Sequence, residues 1–146
     1  MPQKHRSADN SQVIQNRCTK KWSLAVRARA GHVCERCGMS CTRLQSHHVV
    51  SWRCKARGTL RWALQNGVSC CPLCHRLGGE SFHSNPPLTM EWFKQTRPDD
   101  YQHVLLHYRD SLPEGAEEAR AYLKWVESVM DKAIADSACN STPAVV

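Results

Sequence analysis

Two pairs of cysteines, each pair separated by two residues, constrain the fold of this chain more than any other feature. They are Cys34/Cys37 and Cys71/Cys74. Structural zinc takes four soft ligands in a tetrahedron, and two such turns supply them when the intervening chain forms a hairpin. We therefore expect one structural Zn²⁺ on these four thiolates. So small a hairpin has little core of its own, and loss of zinc is expected to unfold it.

The chain has nine cysteines, and spacing alone leaves some freedom in the ligand set. Cys70 directly precedes Cys71, and Cys41 lies near the first pair. Cys71 is preferred because its gap to Cys74 equals that between Cys34 and Cys37. Buried free thiols are the alternative interpretation of the pairs. Small buried residues or exposed thiols are expected at the remaining positions, Cys18, Cys41, Cys54, Cys70 and Cys139.

Charge is distributed unevenly along the 146 residues, which are enough for one domain. Residues 1–97 hold 16 Lys/Arg against 4 Asp/Glu, whereas residues 98–146 hold 4 against 9. The basic part also carries both cysteine pairs. This favours a polyanion as the partner of that part, because basic side chains bind phosphates with release of counterions. A merely solubilising basic surface is the alternative.

The sequence opens MPQKHRSADN and contains no apolar stretch of the length of a signal peptide or membrane span. In a reducing compartment, clustered cysteines are more often metal ligands than disulfides. We therefore expect a soluble cytoplasmic protein with no membrane partner.

Local patterns predict an α+β fold. Residues 1–17 are expected to form a disordered polar and basic leader, followed by a helix that ends at Gly31. Strands are expected within TRLQSHHVVSW and WALQNGVSC, and CPLCHRLGG is expected to turn into a short helix stopped by Gly78-Gly79.

The rest of the chain has helical periodicity. One helix is expected from Asn85-Pro86-Pro87 to Pro98, a second is capped by Asp99 or Asp100, and a third runs from about Glu114 to Asp136. The apolar stripe of the third helix favours packing against the core, and its spacing would also serve a homodimer. The resulting domains are a core at residues 18–97, a helical extension at 98–136 and a frayed tail at 137–146.

His47-His48, Asn66 and His75 are interleaved with the cysteine pairs. Hydrolysis of a phosphodiester needs a base that activates water and a cation that stabilises charge on the phosphate. Histidine can serve as base or as metal ligand near neutral pH. Adjacent strand residues face opposite sides, so His47 and His48 can serve one phosphate only where the strand ends or bulges.

The segments CERCG, SHHVVSW and NGVSCCPLCHRLGG resemble the HNH endonuclease family, in its subtype with a ββα-metal core and a four-cysteine zinc site. In that family the asparagine stands nine residues before the final histidine and the second zinc pair lies between them, as Asn66, His75 and Cys71/Cys74 do here. The resemblance covers about residues 20–97. The LRW before the asparagine and the HSNP followed by EWF look most like small phage and prophage members.

The resemblance implies a metal-dependent endonuclease that hydrolyses DNA, with catalytic residues His48, Asn66 and His75. His48 would be the general base, Asn66 would orient the loop or the base, and His47 and His75 would ligate a catalytic Mg²⁺ or Mn²⁺. Many relatives have Asp where His47 stands, so Ni²⁺ or Zn²⁺ would also suit this chain. Several relatives place a further ligand where this chain has Gly79. His83 is the candidate third ligand if the loop folds back; the alternatives for it are a phosphate contact or a structural role.

Phosphate contacts are expected from basic residues in or beside the hairpin, namely Arg43, Arg53, Lys55, Arg57, Arg61 and Arg76. No base-reading element is evident, which predicts low sequence specificity, and a monomer would nick whereas a dimer could cut both strands. Two alternatives remain: a zinc-ribbon module that binds nucleic acid without catalysis, and a phage packaging or recombination accessory whose acidic C-terminal helices bind a protein partner.

Overall fold

The computed structural model describes residues 11–53 and 55–140, and at residues 55–57 it describes the backbone alone. Within that part, the chain combines helices with one small antiparallel sheet, as the predicted α+β class requires. The elements are α1 (Ser11–Arg29), β1 (Gln45–His48), β2 (Gly67–Cys70), α2 (Pro86–Thr96), α3 (Pro98–Leu106) and α4 (Ala116–Asn140). Shorter turns of helix lie at Lys55–Arg61, Leu64–Asn66 and Leu73–Leu77.

The two strands lie within the predicted segments and are only four residues long each. Gln45 pairs with Cys70, His47 with Val68, and His48 with Gly67. Since side chains alternate along a strand, Gln45 and His47 share one face of the sheet, and Ser46 and His48 share the other. The register thus decides which histidine meets which neighbour.

The first helix begins earlier than predicted. Ser11–Arg29 is a continuous α-helix, so residues 11–17 of the expected disordered leader are helical, and residues 1–10 lie outside the described part. Ile14 and Cys18 are buried on the same side as Trp22, which gives this polar-looking segment an apolar face. The predicted stop at Gly31 is confirmed, because its φ of +62° lets the chain turn out of the helix.

The last helix packs along the first. Leu123, Val126 and Met130 are buried against the apolar face of α1, together with Trp62. At the rim, Arg17 pairs with Glu127 at 2.9 Å. The expected packing of the apolar stripe of α4 against the core is therefore observed for Leu123, Val126 and Met130. The helix continues to Asn140, so residues 137–140 of the predicted frayed tail are helical, and residues 141–146 lie outside the described part.

Gly67 lies directly against α1. A Cβ atom added there would lie 2.4 Å from Val26 Cγ2 and 2.9 Å from the Trp22 ring. The absence of a side chain therefore lets the end of β2 touch the helix. On the same residue, the carbonyl accepts hydrogen bonds from Arg29 and Arg97 at 2.8 and 2.7 Å.

The two middle helices meet at a proline. Asn85 caps α2 by accepting a hydrogen bond from the Leu88 amide. The next helix begins at Pro98, so Asp99 and Asp100 lie in its first turn and do not form the predicted cap. The fixed φ of proline suits the first position of a helix, which explains the earlier start.

Among the described residues, no helix is both long and apolar enough to cross a membrane.

Candidate metal centres

The four predicted zinc ligands come together. The sulfur atoms of Cys34, Cys37, Cys71 and Cys74 all lie within 4.8 Å of one another, and those of Cys37 and Cys71 are 3.9 Å apart. Two sulfurs bonded to one zinc at about 2.3 Å in a tetrahedron are roughly 3.8 Å apart, so this cluster is compatible with a structural Zn²⁺.

Backbone amides shape the first cysteine turn. Gly38 has a φ of +72° and donates its amide to the Cys34 carbonyl at 2.8 Å, which closes the turn. Burial raises the pKa of the Cys34 thiol, but hydrogen bonds from the backbone of Cys71, Cys37 and Arg36 outweigh it and lower this pKa to about 7. The turn therefore favours the thiolate, which is the form that binds metal.

The other described cysteines lie outside the four-cysteine cluster. Cys70 is buried on the sheet and its thiol donates to the Gln45 carbonyl at 3.6 Å, so it lies outside the cluster that Cys71 joins. Cys18 is buried between α1 and α4, where burial raises its pKa to about 11. Cys41 is half-buried and Cys139 exposed, whereas Cys54 lies outside the described residues.

A second cluster contains three histidines. His47 comes from β1, His75 from the turn after the second cysteine pair, and His83 from the loop that follows; one ring nitrogen of each lies within 4.8 Å of the others. The loop folds back because the Phe82 amide donates to the Cys74 carbonyl at 2.8 Å and the His83 amide to the His75 carbonyl at 3.2 Å. His83 thus reaches the cluster from beyond Gly79.

The geometry of this histidine cluster suits a metal. The Nε2 atoms of His75 and His83 are 3.1 Å apart. Two imidazole nitrogens bonded to one ion at about 2.1 Å are roughly 3.0 to 3.4 Å apart, depending on the coordination geometry. Burial, together with repulsion among the rings, lowers the pKa of His47 to about 3 and that of His75 to about 4. Near neutral pH the rings are therefore uncharged and offer lone pairs.

His48 does not join these three histidines. Its ring stacks on Trp22 with centroids 3.9 Å apart, and its Nε2–H donates to the Arg61 carbonyl at 2.8 Å. Although it is the last residue of β1, the alternation of the strand holds to its end and turns His48 toward α1. Burial lowers the pKa of His48 to about 4, so this ring is also neutral near pH 7.

Asn66 is fully buried and holds the loop between the strands. Its Oδ1 accepts from the Val50 amide at 2.8 Å, and its Nδ2 donates to the carbonyls of Val50 and Leu60 at 2.9 and 3.0 Å. Leu60 directly precedes Arg61, whose carbonyl holds His48. The amide therefore fixes the loop that positions His48.

The predicted phosphate-binding residues divide into three groups. Arg43 and Arg76 are exposed and line one cavity of about 470 Å³ beside the sheet, and Arg53 is exposed in the loop after β1. Arg61 is held inside the fold, 4.2 Å from the centroid of Trp52 and bonded to Gln15 at 2.8 Å. The side chains of Lys55 and Arg57 lie outside the described part.

Sequence reasoning missed two neighbours of the histidines. Gln45 accepts a hydrogen bond from His75 Nδ1, and Trp22 covers His48. Gln45 stands two residues before His47 and therefore on its face, a signal that strand periodicity contains. The contact between Trp22 and His48 depends on how α1 packs on the sheet, which cannot be predicted from a local sequence pattern.

Comparisons of the chain with protein-family models, with curated proteins and with solved structures found no match.

Proposed function

We propose that this protein is a metal-dependent HNH endonuclease that hydrolyses DNA phosphodiester bonds, with a ββα-metal core in residues 18–97. The observation that carries the proposal is the convergence of His47, His75 and His83 beside the four-cysteine cluster. Both clusters belong to the part of the chain with 16 Lys/Arg against 4 Asp/Glu. A polyanion and a divalent cation would thus meet at one place.

In the proposed mechanism the three histidines hold the catalytic cation. A divalent metal there supplies positive charge that stabilises the phosphate and the leaving oxygen. Among the described residues, the cluster consists of three neutral imidazoles. This set of nitrogen donors favours Mn²⁺, Ni²⁺ or Zn²⁺ over Mg²⁺. The structural zinc of the four cysteines would be a separate ion.

His48 is the proposed general base. The hydrogen bond to the Arg61 carbonyl keeps the proton on Nε2, so Nδ1 carries the free lone pair that can accept a proton from water. His48 and His47 lie on opposite faces of β1. The scissile phosphate would therefore be bound at the end of this strand, between the base and the cation.

DNA would be held mainly through its backbone. Arg43 and Arg76 line a cavity next to Gln45, which itself contacts His75, so a neighbouring phosphate could bind within reach of the histidine cluster. Arg53, Lys55 and Arg57 would contact further phosphates along the same DNA strand. Contacts to the DNA backbone alone carry no sequence information, so low sequence specificity follows.

Cleavage of supercoiled plasmid by the zinc-loaded protein tests the chemistry. We expect nicked product with Mn²⁺ or Ni²⁺, none with EDTA, and a loss of about 100-fold or more in His48→Ala. His107→Ala, just beyond the end of α3 and in neither metal cluster, is the matched control and should cleave normally. Cleavage that survives His48→Ala, or that EDTA leaves unchanged, would refute the mechanism.

The second candidate is a zinc-dependent nucleic-acid-binding module without catalysis. It is favoured by the packing of His48 under Trp22, which is an ordinary way to bury a histidine. This module would retard DNA in a gel, with an affinity that falls steeply as the salt concentration rises. It would leave plasmid intact in Mn²⁺, Ni²⁺, Zn²⁺ and Mg²⁺.

A further inference from the structure

Gln45 connects the start of β1 to the histidine cluster. Its side-chain Oε1 accepts a hydrogen bond from His75 Nδ1. Its backbone is fixed as well, because Gln45 pairs with Cys70 across the sheet and the Gln45 carbonyl accepts a hydrogen bond from the Cys70 thiol. The amide therefore reaches His75 from a rigid base.

The hydrogen bond has a chemical consequence for His75. A neutral imidazole carries one N–H, and the amide oxygen of Gln45 can only accept. The proton of His75 is thus placed on Nδ1, and the lone pair of Nε2 points toward His83, whose Nε2 is 3.1 Å away. Hydrogen bonds of this kind orient metal-binding histidines in proteins.

We propose that Gln45 is a positioning residue that keeps His75 in the Nδ1–H tautomer and so makes its Nε2 available to a divalent cation. The inference rests on the metal site of the proposed function. It also explains why an amide stands here. A carboxylate would accept the same hydrogen bond, but it would place negative charge beside the cavity of Arg43 and Arg76, where a DNA phosphate is expected.

Three variants separate this role from a structural one. Gln45→Met has similar length and no acceptor, Gln45→Glu keeps an acceptor, and Gln95→Met makes the same change on the exposed face of α2 as the control. Unchanged zinc content and thermal melting show that each variant is folded. If Gln45→Met fails to fold, Gln45→Asn replaces it, since its shorter side chain cannot reach His75.

The first readout is the tautomer of His75, measured by long-range ¹H–¹⁵N correlation on the zinc-loaded full chain without a second metal. The second is the affinity for Mn²⁺ and Ni²⁺, measured by calorimetry. We expect Nδ1–H in the parent protein, Gln45→Glu and Gln95→Met. In Gln45→Met we expect a mixture of tautomers and an affinity lower by about 10- to 100-fold.

The outcomes distinguish the two proposals. A parent protein that binds neither metal at the histidines would overturn both the proposed function and this inference. Metal binding by the parent, with the same affinity and the same His75 tautomer in Gln45→Met, would overturn this inference and leave the proposed function standing.

Discussion

His48 and Trp22 stack face to face, with ring centroids 3.9 Å apart and planes inclined by 7°. The stack places the histidine between α1 and the end of the hairpin, away from the neighbouring His47. The residue proposed as the general base is thereby also part of the packing. Substitutions of His48 are therefore expected to affect stability as well as activity.

The burial of His48 gives folding a dependence on pH. The unfolded chain takes up a proton on this ring near pH 6.5, and the folded chain only near about 4. The contribution to the free energy of unfolding is thus fully present above about 6.5 and is lost progressively as the pH falls toward 4. We expect urea unfolding of His48→Gln to depend less on pH across this window than that of the parent. Equal slopes would contradict the assigned environment.

Asn66 should be among the most sensitive positions for stability. Asn66→Ala removes three hydrogen bonds and leaves the Val50 amide and the Leu60 carbonyl buried without that partner, which costs about 2–4 kcal/mol. Chemical denaturation measures this loss, and amide exchange should rise in the loop between the strands. Asn16→Ala, exposed on α1, is the control. A cost below that of the control would refute the role of Asn66 as the anchor of the loop.

Gly67 is expected to tolerate no side chain. In Gly67→Ala the new Cβ would lie 2.4 Å from Val26 Cγ2, so α1 and β2 must separate, at a cost of about 1–3 kcal/mol. Gly79→Ala adds the same methyl group where no atom lies within 4 Å. Thermal melting should therefore separate the two variants, and equal melting temperatures would show that α1 does not approach the sheet this closely.

Removal of one zinc ligand should unfold the region around the hairpin. Cys34 and Cys71 are buried in the same apolar cluster as Val68 and Phe82, so the cysteines belong to the small core that they support. In Cys74→Ser we expect loss of the single zinc per chain by metal analysis, with loss of the hairpin signals in NMR spectra. Cys41→Ser, half-buried beside that core, should keep its zinc. Full zinc retention in Cys74→Ser would exclude the assigned ligand set.

The sequence predicted what local chemistry determines. The spacing of the cysteines identified the cluster, Gly31 marked a turn with a positive φ, and the local composition of two short segments located both strands. These features depend on neighbours within a few residues. His83 was also named as a candidate for the histidine cluster, although only the folded loop shows how it passes the two glycines.

Tertiary packing decided the rest. Residues 11–17 appear polar in sequence, yet Ile14 is buried against α4, which lies more than a hundred residues further along the chain. Likewise, Arg61 donates a hydrogen bond to Gln15 and lies over the ring of Trp52. Neither contact can be predicted from a local sequence pattern. The direction in which His48 points follows from an unbroken strand alternation, where a bulge was the alternative.

Cleavage of supercoiled plasmid in Mn²⁺ by zinc-loaded His83→Ala, beside the parent protein, tests the central claim most directly. His83 is exposed and belongs to neither the zinc cluster nor the hairpin, so its loss should leave the fold intact. We predict nicked plasmid with the parent and at least about tenfold less with the variant, since one metal ligand is removed. A parent protein that binds plasmid without nicking it in Mn²⁺, Ni²⁺, Zn²⁺ or Mg²⁺ would contradict the claim.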